Sequence, residues 1–180
     1  MPRQLGLTPK AILMISAHWE EAEFTVQANP RPSMVYDYSG FPPETYQIQY
    51  SAPGSPELAR RVQNLIEGAG LPARLDAERG YDHGMFAPMA AIYPKADVPV
   101  VQLSLKIGYD PATHLRLGRA LAPLREEGIL IVGSGLSYHN LSRFSKSGGK
   151  ASHEFDAWLK ETLDLDPAER EARLKAWDQA

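Results

Sequence analysis

Histidine is the side chain best suited to proton transfer and metal ligation near neutral pH, and the chain has five of them. Two follow apolar runs. His18 comes directly after Ala11 to Ala17, and His139 comes after Ile129 to Val132 by way of Gly133-Ser134-Gly135-Leu136-Ser137-Tyr138. If both runs are parallel strands, both rings stand beyond carboxyl ends, where open α/β sheets bind ligands. A third, His83, sits in Gly80-Tyr81-Asp82-His83-Gly84, which reads as a loop. The glycines permit a tight backbone there, and Asp82 is placed to orient a neighbouring imidazole or raise its pKa. A lone histidine at a strand end is often only a hydrogen-bonded structural residue, so each carries both readings. His114 falls inside a helix and reads as packing or surface. His153, near the start of a helix at Ala151 to Leu163, reads as surface or cap.

Competing signals are weaker. Gly133-Ser134-Gly135 lacks the Lys-Ser/Thr of a phosphate loop and the spacing of a dinucleotide fingerprint, so close backbone packing explains it better. Ser134 and Ser137 are outside any nucleophile-elbow sequence. Trp19 and the nearby tyrosines suit a core or the wall of a pocket for a planar ligand.

The elements that must position these residues alternate in type. Ala11 to Ala17 is continuous rather than alternating and reads as a buried parallel strand. Residues 28–56 are rich in Pro, Gly, Ser and Tyr and read as a long excursion, which Tyr36, Tyr38, Tyr46 and Tyr50 favour as ordered. A helix starts at Ser55-Pro56, carries Leu58, Val62, Leu65 and Ile66 on one face, and ends at Gly68 and Gly70. Leu71 to Leu75 is a short strand candidate and Pro99 to Leu105 a stronger one. Asp110-Pro111 caps a helix bearing Leu117, Leu121 and Leu124. Asp166-Pro167-Ala168-Glu169 starts a last, charged helix. The order predicts an α/β fold: a single domain over residues 1–180, with a mostly parallel central sheet flanked by helices.

Composition narrows the function classes. The chain has 180 residues, 43% hydrophobic and 23% charged, which places it among globular proteins. With 19 Lys+Arg against 22 Asp+Glu, it lacks the basic excess of a nucleic-acid surface. Having no cysteine, it has no disulfide, thiolate metal site or thiol nucleophile. No apolar run approaches the ~20 residues of a membrane span, and no signal-peptide layout opens the sequence. The expectation is a cytoplasmic protein with neither a nucleic-acid nor a membrane partner.

Six segments occur in order: Ser16-Ala17-His18-Trp19-Glu20, Tyr36-Asp37-Tyr38-Ser39-Gly40-Phe41-Pro42-Pro43, Tyr50-Ser51-Ala52-Pro53-Gly54-Ser55-Pro56, Tyr81-Asp82-His83-Gly84, Pro99-Val100-Val101-Gln102-Leu103-Ser104, and Gly133-Ser134-Gly135 with His139-Asn140-Leu141. Together they closely resemble the class III extradiol ring-opening dioxygenases, of the LigB-like superfamily, in their DOPA-dioxygenase branch, from about Pro9 to Leu163. The resemblance implies a non-haem Fe(II) site, or Zn(II) in its place, that opens a catechol-type ring with dioxygen. It makes His18 a metal ligand and His83 a pocket residue that donates a proton or binds a hydroxyl. It makes His139 either a metal ligand or the acid–base residue.

Members of that family begin with a further strand ending in a His-Gly ligand and continue to a Pro-Glu-His-type ligand. Neither segment is among these 180 residues. The expectation is therefore a catalytic domain lacking both segments, with low or no dioxygenase activity and a tendency to self-associate. Glu20, Glu21, Asp82 and Glu154 are candidates for a replacement ligand. The competing expectations are a catalytically inactive domain that binds an aromatic ligand or a partner, and a metal-dependent hydrolase of similar fold.

Overall fold

The computed structural model describes residues 8–143 and 149–179. Among these, no helix is long and apolar enough to cross a membrane. The described residues of Met1–Tyr109 and Arg116–Gly135 form one compact unit, and those of Asp110–Leu115 and Leu136–Ala180 form a second.

The first unit is built on five strands: β1 (Ala11–Glu21), β2 (Phe24–Gln27), β3 (Ala73–Asp76), β4 (Val100–Lys106) and β5 (Ile129–Ser134). Their spatial order is β3-β2-β4-β1-β5. β1 runs parallel to β4 and β5, and β2 runs parallel to β3 but antiparallel to β4. The expected mostly parallel sheet is therefore present, with one antiparallel junction. β1 has neighbours on both sides, and Ala11 to Met14 are fully enclosed. The period of two in a strand sends Ala11 and Leu13 into one core layer, with Phe24, Val26, Val101 and Leu103. It sends Ile12 and Met14 into the other, with Tyr81, Met85, Phe86 and Val100.

Helix α1 (Pro56–Gly68) covers the first layer with Leu58, Ala59, Val62 and Ile66. Its start is fixed as expected: the Ser55 side chain accepts from the Leu58 N–H at 3.2 Å. Helix α2 (His83–Ile92) covers the second layer with Met85, Phe86 and Met89. Its first two residues, His83 and Gly84, depart from the sequence expectation, which read Gly80 to Gly84 as a loop. Gly84 and Pro88 both lie inside it, and its almost wholly apolar sequence carries no amphipathic period. Burial on the sheet outweighs both breakers.

α3 (Pro111–Leu121) belongs to the first unit from Arg116 onward, and α4 (Pro123–Glu126) leads into β5. Leu117, Leu121 and Leu124 join the first core layer, but Leu124 does so from α4, because the single helix expected from Asp110-Pro111 ends at Leu121. In the second unit, Asp110 accepts from the Thr113 N–H at 2.8 Å and caps the start of α3. There α5 (Gly149–Leu163) and α6 (Pro167–Lys175) are joined through an Arg173–Glu161 ion pair at 3.3 Å. Asp166 caps α6 by accepting from Ala168 and Glu169 N–H.

Two backbone features set up the site. The pairing of β1 with β4 passes from Ile15 opposite Leu103 to Glu20 opposite Leu105. Ser16 to Trp19 thus bulge out of the ladder, as strands often do beside functional sites. His18, expected after the strand, lies within it on this bulge. Gly84, in the first turn of α2, lies directly against the bulge. A Cβ there would collide with the Ser16 Oγ and come within 2.9 Å of the His18 ring.

Gly84→Ala should therefore destabilise the fold by about 1–3 kcal/mol through overpacking. Gly118→Ala, on α3 with nothing within 4 Å of a new Cβ, should stabilise by about 0.5–1 kcal/mol. Urea unfolding of the two variants checks the pair, and equal effects would refute the close-approach argument.

Candidate metal centre

Asp82 organises the site from beneath. Its side chain is fully buried. Its Oδ1 accepts from the Ser16 hydroxyl at 2.7 Å and from the Met85 N–H at 3.2 Å. Its Oδ2 accepts from Gln102 Nε2 at 2.7 Å and from Arg79 Nη2 at 3.1 Å. One carboxylate thus joins β1, β4 and the start of α2, and every contact is of the kind a buried charge requires. The sequence reading placed Asp82 as the partner of the imidazole. It is instead the N-cap of α2, aimed inward, and it leaves His83 at the first helical position facing the other way.

The acid that meets the imidazole is Asp37. Its Oδ1 lies 2.8 Å from His83 Nδ1 and accepts from the His83 backbone N–H at 3.0 Å. Its Oδ2 lies 3.9 Å from His18 Nδ1. The rings of His18 and His83 are 3.9 Å apart, centroid to centroid. Burial pulls the Asp37 carboxyl upward, but the two His83 hydrogen bonds, a bond from its own backbone N–H and the charge interaction with His83 together outweigh it and hold the group below its ordinary value. Asp37 is thus a carboxylate at neutral pH.

Asp37 arrives on the loop between β2 and α1, which is pinned close by. Val35 N–H donates to the Tyr81 carbonyl and Tyr81 N–H to the Ser33 carbonyl, both at 2.7 Å. Gly80 permits this, because a Cβ there would meet the Ser33 carbonyl. Tyr36 and Tyr38 flank Asp37. The Tyr38 ring stands edge-on to His83 with centroids 5.3 Å apart. The long excursion is thus largely irregular, with one 3-10 turn at Pro43–Gln47, and ordered by its own aromatic rings, as its composition suggests.

Donor atoms of His18, Asp37 and His83 all lie within 4.8 Å of one another. Two imidazoles and one carboxylate on one face suit a divalent non-haem ion with open positions for other ligands. The donor set therefore fits a metal.

Asp37 was the residue that sequence reasoning missed. It stood inside a quoted motif, but a single acid in an irregular loop gives no spacing that ties it to a distant histidine. The other acids considered are engaged elsewhere. Glu21 accepts from Trp19 Nε1 and Arg74 Nη2, each at 2.9 Å. Glu20 is hydrogen-bonded with Tyr109. Glu154 is exposed and pairs with Lys150 at 3.6 Å. His139 is exposed and belongs to the second unit. His114 Nδ1 lies 2.9 Å from the Asp110 carbonyl, and His153 is exposed on α5. Both match their bland reading.

A two-histidine, one-carboxylate group that fits a metal stands beside the bulged central strand of an α/β sheet, and sequence comparison gives the family. The profile of the LigB family, described as the catalytic LigB subunit of aromatic ring-opening dioxygenase, matches residues 2–179, and the chain belongs to that family. It is 47% identical over 159 residues to a Beta vulgaris 4,5-DOPA dioxygenase extradiol, covering 86% of this chain and 59% of that protein. It is 40% identical to the Escherichia coli K12 4,5-DOPA dioxygenase extradiol, covering 89% of this chain and 62% of that one. The chain thus spans somewhat under two thirds of the length of these relatives. A crystal structure of an uncharacterized Escherichia coli K12 protein superposes with a TM-score of 0.76 at 35% identity. The match covers 97% of this chain and 68% of that one.

His18→Ala should lower divalent-metal affinity at least ~10–100-fold, since even loss of a supporting partner costs that much. Equilibrium binding of Fe(II) under anaerobic conditions measures it. Unchanged affinity in a folded variant would remove His18 from the ligand set.

Proposed function

We propose that this chain forms the metal-binding core of an extradiol dioxygenase that opens a catechol-type ring with dioxygen. The observation that carries the reading is the convergence of His18, Asp37 and His83 in a chain of the LigB family. Fe(II) is the proposed ion and Zn(II) the alternative occupant. The ion supplies acidity to the catechol hydroxyls and one-electron chemistry towards dioxygen.

The residues divide the work by their surroundings. His18 is the proposed ligand of this unit. His83 is the proposed proton carrier. With the Asp37 carboxylate as acceptor, the proton sits on His83 Nδ1 and leaves the Nε2 lone pair free. That atom takes a phenolic proton and later returns it, while Asp37 stabilises the imidazolium formed in between. The mutual closeness of the three donor sets favours a second reading, in which Asp37 and His83 also ligate the ion. For His139 the proposal rests on the resemblance alone, as a metal ligand or an acid–base residue. The absence of cysteine fits a reducing compartment, and the cytoplasm is the proposed one. Self-association belongs to the same proposal, since β3 and β5 are edge strands.

Under air, the Fe(II)-loaded chain should take up oxygen with a simple catechol and form a product absorbing visible light. Under nitrogen it should form none. His83→Ala should slow uptake by ~10²–10⁴-fold while keeping the ion. Loss of the ion from His83→Ala would support the second reading. A folded chain that binds the catechol but no metal would support an inactive ligand-binding domain. Turnover with zinc and no oxygen would support a hydrolase.

A further inference from the structure

The bulge that carries His18 is held at both ends, and both holds lead to one carboxylate. The registers of β1 with β4 and β5 leave out Ala17, His18 and Trp19, so side chains must fix this stretch. At its root, the Ser16 hydroxyl donates to Asp82 Oδ1 at 2.7 Å. At its far end, Trp19 is buried, and the Arg79 guanidinium lies over its ring, 4.7 Å from the centroid. The same guanidinium donates to Asp82 Oδ2 through Nη2 at 3.1 Å. A further contact sets the direction of the indole: its Nε1 donates to Glu21 Oε1 at 2.9 Å, and Glu21 Oε2 is paired with Arg74 at 2.9 Å. His18 lies between the anchors Ser16 and Trp19, and His83 follows Asp82. Arg79 therefore touches the neighbour of each imidazole.

A counter-charge for the buried Asp82 would explain a cation here, but a lysine ammonium would supply that as well. The arginine carries a penalty that a lysine would not: its Nε is buried without a hydrogen-bond partner among the described residues. What a guanidinium alone provides is a flat cation that hydrogen-bonds along its edge while its face lies on an aromatic ring.

We propose that Arg79 is a positioning residue for His18: held by Asp82 and lying over Trp19, its guanidinium fixes the far end of the bulge and so sets the His18 ring against His83. This rests on the function proposed above, in which His18 binds the ion and His83 carries the proton. The placement of the two rings is a property of the chain alone, so it is tested with and without metal.

The first arm titrates Co(II) anaerobically into the full chain, since its visible absorption reports both affinity and ligand geometry. Arg79→Lys keeps a positive charge beside Asp82. It should nevertheless weaken Co(II) binding roughly tenfold, the scale of losing a supporting partner, and change the shape of the absorption band. Trp19→Leu should do the same. Trp19→Phe, which keeps a ring beneath the guanidinium, should lose less. The double variant Arg79→Lys with Trp19→Leu should be no weaker than the weaker single variant, because the two side chains act as one unit. The second arm is NMR of the metal-free chain above the imidazole titration range, with ring signals assigned from His18→Gln and His83→Gln. Rings 3.9 Å apart shift one another's signals, so Arg79→Lys should move those of His18 and His83 and leave those of His114 and His153 in place.

Parent-like Co(II) binding and histidine signals in Arg79→Lys would make Arg79 a counter-ion only and overturn the inference. So would equal losses in Trp19→Phe and Trp19→Leu, or losses that multiply in the double variant. If Arg79→Lys does not fold, the two Trp19 variants decide alone. A parent chain that binds no Co(II), with the His18 and His83 signals moved in Arg79→Lys, would keep this inference and lose the metal reading. Oxygen uptake by the Fe(II)-loaded parent with catechol judges the dioxygenase reading separately.

Discussion

The buried Asp82 carboxylate is the interaction on which the site depends. A charge removed from water is tolerated only when its lone pairs are filled, and here Ser16, Gln102, Arg79 and the first turn of α2 fill them. Each partner belongs to a different piece of the scaffold, so satisfying the charge fixes their relative positions. Ser16 is held at the root of the β1 bulge, and its Oγ also accepts from the His18 N–H at 3.2 Å. His83 follows Asp82 directly and inherits its position from the cap. Both imidazoles are therefore set by a group that touches neither ring. Arg79 adds a further tie, with its guanidinium 4.7 Å from the centre of the Trp19 ring on the same bulge.

Much of the scaffold was legible in the sequence because its signals are local. The apolar run at Ala11, the Ser55-Pro56 start of α1 and the Asp110 and Asp166 caps each depend on a few adjacent residues. β2 was missed because four residues, Phe24 to Gln27, are too few to show a period. α2 was missed because Pro88 and Gly84 argue against a helix locally, and only packing against Ile12 and Met14 reverses that. The β1 bulge was invisible for a related reason. Nothing in Ser16-Ala17-His18-Trp19 announces that the ladder breaks there, and the break appears only in the pairing with β4.

The site shows the same division between local and distant information. His18 and His83 were found by residue type and by their neighbours. The carboxylate between them was not, and the nearer acid, Asp82, drew the assignment. Adjacency in sequence misleads at a helix start, because an N-cap side chain turns back to its own backbone amides. The next residue then points away. Asp37 takes the partner role only because the Ser33–Tyr81 backbone bonds bring its loop beside α2.

That assembly has a consequence for how the molecule folds. His18 and Asp37 are nineteen residues apart, and Asp37 and His83 forty-six. Closing such loops costs entropy before any contact repays it. No unfolded stretch of the chain presents the three donors together. An ion held by all of them would recognise only the native state, and its whole binding free energy would be added to folding stability. At a hundredfold excess over its dissociation constant, that addition is about 2.7 kcal/mol, a sizeable fraction of the 5–15 kcal/mol that holds an ordinary domain together.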